Sequence, residues 1–169
     1  TFGQAGGSWA PQLCPAMRHW GIPLYMDEAN HIGLDNRAFW YGGVLHINRL
    51  GPYCTRMDFA AGAAGLERGK RDFDTLCAKV GDADGLASIY YHPCEWAADG
   101  FWDAANFARG ANPPRSEWQL PPLRSSTQMA AGLQLFSEYL AYVKSRPNVE
   151  ILTGRQIINL LPDRVRQRR

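Results

Sequence analysis

The chain has 169 residues, 46% of them hydrophobic and 20% charged, which is the make-up of one globular domain or part of a larger one. That excludes a disordered tail, a collagen-like chain and a coiled coil, and no run approaches the roughly 18 apolar residues of a membrane span. The formal charge is +2, but without Arg164, Arg166, Arg168 and Arg169 there remain 14 basic residues against 16 acidic ones, so 163–169 reads as a basic tail on a slightly acidic body with no nucleic-acid footprint.

In chain order, Gly3 to Trp9 is a glycine-rich loop that carries Trp9 towards a cleft. Pro11 to Trp20 follows as a short helix with Pro15 near its start, closed by Gly21. Residues 22–26 form a short buried strand with Pro23 at its beginning, running into Asp27, Glu28, Asn30 and His31. Residues 33–60 interrupt the order, and Phe39 to Ile47 within them reads as a hairpin or an extended segment.

Gly65 to Val80 has the helical period, with Leu66, Phe73, Leu76, Cys77 and Val80 on one face. After a Gly- and Asp-rich turn, residues 86–91 form a second apolar strand that runs into His92, Pro93, Cys94 and Glu95. Residues 97–124 are rich in aromatics and proline, a connection long enough for a lid or binding loop. Ser125 and Gln128 have capping-box spacing ahead of a helix to about Lys144 that buries Met129, Leu133, Phe136, Leu140 and Val143. Arg146, Pro147 and Asn148 break it, 149–152 is a third strand, and Gly154 to Leu161 a final helix. The recurrent order of helix, turn, strand and polar loop predicts an α/β fold in which 22–26, 86–91 and 149–152 lie parallel in one sheet.

Polar groups beyond the carboxyl ends of such strands are the first candidates for chemistry. His92 and Glu95 leave the second strand together: an imidazole suited to proton transfer, or equally a histidine satisfied by a local hydrogen bond. Asp27 to His31 can ligate a divalent ion, orient a catalytic histidine, or simply cap a polar loop. Cys14, Cys54, Cys77 and Cys94 have no C-x-x-C spacing, and the helical Cys14 and Cys77 read as buried free thiols.

Gly6-Gly7-Ser8-Trp9-Ala10-Pro11-Gln12 with the following helix and a strand ending at Asp27, then Ile89-Tyr90-Tyr91-His92-Pro93, then the closing 149–161 segment, resemble in order the later motifs of the polysaccharide deacetylases of the carbohydrate esterase family 4 type. The resemblance covers residues 1–162 and implies the carboxyl-terminal part of a deacetylase-like domain, with a partial (β/α) barrel of parallel strands and intervening helices. It implies metal-dependent removal of N- or O-acetyl groups from sugars, a divalent ion such as zinc activating the water. His92 would inherit the acid role with Asp27 supporting it, and Trp9, Trp40, Glu95 and Trp96 would line the carbohydrate site. The family's metal ligands lie in earlier motifs, which this chain does not contain. They are therefore expected upstream of Thr1, with the amino-terminal half of the barrel as the missing partner. By itself the chain is expected to hold no metal and to be inactive. The alternative is a non-catalytic carbohydrate-binding or scaffold domain on the same fold.

Overall fold

The computed structural model describes residues 1–3, 9–28, 37–50, 53–81, 85–100 and 102–162, and for 27, 28, 48–50, 102, 103 and 109 the backbone alone. The chain divides into two compact units, Thr1–Arg56 with Asp72–Tyr90 and Arg146–Arg169, and Met57–Arg71 with Tyr91–Ser145.

The first unit is built on a four-stranded mixed sheet in the order β1-β2-β4-β3, formed by β1 (Phe2–Gly3), β2 (Leu24–Glu28), β3 (Phe39–Tyr41) and β4 (Val44–Leu50). β2 pairs parallel with both β1 and β4, while β3 and β4 form an antiparallel hairpin. Gly42 and Gly43 make its two-residue turn at φ 57° and 75°. Two successive positive φ values are what a type I′ turn demands, and glycine supplies them without strain.

Alternation along the strands sends side chains to two faces. On one face α1 (Cys14–His19) covers a cluster of Cys14, Met17, Tyr25 and Val44, with Phe2, Trp9, Leu13 and Ile22 packed against it. On the other, α6 (Gly154–Leu160) brings Ile157 onto Leu24, Leu45 and Ile47, with Trp40 and Leu152 alongside. Pro15 sits in the first turn of α1, where its missing N–H costs nothing. The helix ends in a Schellman motif: Ile22 N–H donates to Met17 O at 2.8 Å and Gly21 N–H to Arg18 O at 3.2 Å, with Gly21 at φ 68°. A second, two-stranded parallel sheet joins β5 (Cys54–Thr55) to β6 (Ser88–Ile89).

α2 (Gly62–Val80) contributes its first half to the second unit and its remainder to the first. Leu66, Phe73 and Leu76 are its buried residues of the expected apolar face. The second unit continues with α3 (Cys94–Ala97), α4 (Trp102–Asn106) and α5 (Ser126–Ser145). Its core is aromatic. Phe59 stacks on Trp96 at 4.4 Å with the planes 9° apart, and Tyr91 and Phe136 close around Trp96 at 5.5 and 4.9 Å. The Tyr91 hydroxyl receives the Met57 N–H at 2.6 Å and donates to Met57 O at 2.9 Å, satisfying a buried backbone pair. The 97–124 connection is organised from within: Asn106 exchanges two hydrogen bonds with the backbone of Gln119, and Phe107 meets Trp118 edge to face.

Several expectations are corrected. The partial (β/α) barrel is not formed: the described strands make two open sheets, neither closed on itself. Residues 22–26 and 86–91 do not share a sheet, since β2 lies in the four-stranded sheet and β6 in the two-stranded one. Residues 149–152 form no strand. β2 has β1 on one side and β4 on the other, so neither segment can pair with β2 itself. In α5, Leu133 is exposed, and Gly132, Tyr139 and Val143 are the buried positions. The basic tail, Gln4 to Ser8 of the glycine-rich loop, and Asn30 and His31 lie outside the described residues.

Candidate functional site

The most developed constellation is on the α1 face of the four-stranded sheet, around His46. β4 places His46 beside Tyr25 of β2 and Phe39 of β3, in register with both. It is almost wholly buried, 1% exposed. Its ring stacks on Phe39 at 4.9 Å with the planes 17° apart and lies 5.0 Å from the Tyr25 ring. Trp9 Nε1 donates to His46 Nδ1 at 3.3 Å, and Cys14 Sγ lies 3.6 Å from Nε2. Burial pushes the Cys14 thiol above its ordinary range, so it is a neutral thiol and not an activated nucleophile.

Around this anchor the aromatics reach the surface. Tyr41, at the hairpin turn, is 49% exposed and meets half-buried Trp9 edge to face, with ring centroids 5.6 Å apart. The Ala10 N–H donates to the Tyr25 hydroxyl at 3.2 Å and fixes the backbone next to Trp9. The result is an aromatic pair with an exposed edge, held on a rigid sheet. Trp40, on the opposite face, donates from Nε1 to Leu161 O at 2.7 Å and packs against the Leu24 cluster.

The other residues singled out by sequence fall as follows. Asp27 and Glu28 are the last residues of β2, where the backbone register with β4 shifts at a bulge. Asp27 belongs to the first unit, and His92, Glu95 and Trp96 to the second. Within the second unit His92 and Glu95 do meet. Glu95 Oε1 accepts from the His92 backbone N–H at 2.9 Å and lies 3.1 Å from His92 Nδ1. This reach back from the first turn of α3 is a local side-chain-to-backbone contact, and it also orients the imidazole. Trp96 is half-buried, with a face stacked on Phe59.

Sequence reasoning missed two features. His46 was legible only as part of a hairpin, because its partners Cys14, Tyr25 and Trp9 are brought to it by parallel pairing across more than twenty residues. An open cleft of about 390 Å³ is lined by Cys54, Thr55 and Arg56 together with Asp72, Thr75, Leu76 and Lys79 of α2. Lys79 Nζ stands 4.5 Å over the Tyr53 ring there. Burial pushes the Cys54 thiol up, with Arg56 pulling weakly the other way.

No family model, curated protein or solved structure matches the chain, so the deacetylase resemblance rests on the order of its motifs alone. The activity that it implied is contradicted. Among the described residues no group of three or more His, Cys, Asp or Glu is placed to hold a metal ion, and catalytic metal sites need about three protein ligands. With neither that cluster nor the barrel, the reading as a metal-dependent carbohydrate hydrolase fails. Among the same residues no helix is long and apolar enough to cross a membrane.

Proposed function

We propose that the chain is a non-catalytic carbohydrate-binding module and that Trp9 and Tyr41 form its binding platform. One observation carries this reading: an exposed tyrosine and a half-buried tryptophan stand edge to face on a preformed sheet surface, pinned through His46 and Tyr25. A pyranose ring presents an apolar C–H face flanked by hydroxyls. Aromatic rings complement that face, and their polar tips complement the rim. Rigid aromatic anchors also bind at low entropic cost, because little must be ordered on association. The resemblance to deacetylases makes N-acetylglucosamine oligomers the first ligands to test.

Titration calorimetry with N-acetylglucosamine oligomers should show saturable binding without acetate release. Tyr41→Ala should weaken it by ~5–10-fold, the usual size of one lost aromatic contact. No heat with these oligomers or with cellulose and xylan oligomers, or undiminished affinity in Tyr41→Ala, would reject the reading.

A further inference from the structure

We infer that His46 is a pH-sensitive positioning residue, which holds Trp9 in the platform only while its imidazole is neutral. This rests on the reading of Trp9 and Tyr41 as the binding surface, but its structural part stands on the ring contacts alone. An indole N–H can only donate. The 3.3 Å contact from Trp9 Nε1 therefore makes His46 Nδ1 an acceptor without a proton. A neutral imidazole carries its one proton on the other nitrogen, so Nε2–H points at Cys14 Sγ, 3.6 Å away, a weak acceptor.

Adding a proton to His46 must place it on Nδ1. Two N–H donors would then face each other across the Trp9 contact, and that hydrogen bond becomes a repulsion. Among the described residues, the titratable groups packed on the ring include the Tyr25 phenol from β2, the Tyr41 phenol from β3 and the Cys14 thiol from α1. The faces of Phe39 and Tyr25, both within about 5 Å, stabilise a cationic ring. Burial of the ring opposes that charge, and the hydrogen-bond cost of protonation falls on the Trp9 edge. Trp9 is the side that can yield, because it is half-buried and its ring meets the exposed Tyr41. Acidification releases Trp9, opens the edge-to-face pair and weakens the platform.

The test is long-range ¹H–¹⁵N spectroscopy of the whole chain, titrated from slightly alkaline to mildly acidic pH, with affinity for N-acetylglucosamine oligomers measured at both ends. His46 should show the Nε2–H tautomer at neutral pH. Its protonation and the movement of the Trp9 indole N–H signal should follow one curve, and oligomer affinity should fall by ~10-fold along it, the worth of one charge-opposed hydrogen bond. His46→Asn, whose Oδ1 can replace Nδ1 as the acceptor, should keep Trp9 in place and make both readouts insensitive to pH. Trp9 following His46 with no oligomer bound at any pH would remove the carbohydrate reading and leave this inference standing. An Nδ1–H tautomer, or a Trp9 signal unmoved while His46 titrates, would overturn it, and both are read on the unmutated protein should the variant not fold.

Discussion

All four cysteines are free, and they span the range from buried Cys14 to exposed Cys94. Burial is the leading cause that pushes Cys14, Cys54 and Cys77 up, and at Cys77 the nearby Asp74 carboxylate adds to it. An unfolded thiol loses its proton near its ordinary value, while these retain theirs in the fold. Above that value the native state binds more protons than the unfolded state, so stability falls as pH rises. Denaturant midpoints should therefore be level below about pH 8 and decline steadily above about pH 9, with thiol ionisation as the source. Replacing Cys14, Cys54 and Cys77 by alanine should flatten that decline. Under native conditions a thiol reagent should modify Cys94 first and Cys14 last, as peptide mapping of partly labelled protein would show. Early loss of Cys14 would mean that the α1 face opens readily.

The elements are fixed by local chemistry, and here sequence and structure agree best. Ser125 and Gln128 close the expected capping box, with Ser125 N–H on Gln128 Oε1 at 2.8 Å and Gln128 N–H on Ser125 Oγ at 3.2 Å. Thr153 and Gln156 repeat it at α6. Alanine at Ser125 or Thr153 should each cost about 1 kcal/mol, measurable by denaturant unfolding. Gly42 is under stronger constraint, because a Cβ there would lie 2.7 Å from Cys14 Cβ in addition to the left-handed backbone. Gly42→Ala should cost clearly more than either cap, and a neutral effect would contradict the hairpin geometry. What was legible reflects the range of the interactions. The Ser125 cap and the Gly21 stop depend on residues a few positions apart, so the pattern carries them, whereas Phe39 to Ile47 reads from sequence as either a hairpin or an extended segment. The face of α5 was misjudged because Tyr139, fully buried, has a polar atom, while Leu133 is apolar yet meets solvent. Strand partnership depends on contacts far apart in sequence, such as β2 lying between β1 and β4, and local pattern does not carry them.

At the scale of the whole molecule, the two units differ in how they are held. The first is a mixed sheet with helices on both faces, and the second is a helical unit around the aromatic group of Phe59, Tyr91, Trp96 and Phe136. Of the catalytic candidates, Asp27 lies in the first unit and His92 in the second; of the substrate-binding candidates, Trp9 and Trp40 lie in the first and Glu95 and Trp96 in the second. Polar residues after apolar strands were a sound place to look, but that rule presumes one parallel sheet, and the strands before Asp27 and His92 lie in different sheets. Under the proposed reading, carbohydrate binding is carried by the Trp9–Tyr41 surface of the first unit. The most direct test is chemical-shift mapping of the ¹⁵N-labelled chain with N-acetylglucosamine oligomers at neutral pH. The account predicts saturable shifts centred on the Trp9 indole, Tyr41 and the Gly42–Gly43 turn, with the signals of His92 and Glu95 unmoved and no acetate released. Shifts centred on His92 and Glu95, or release of acetate, would contradict it.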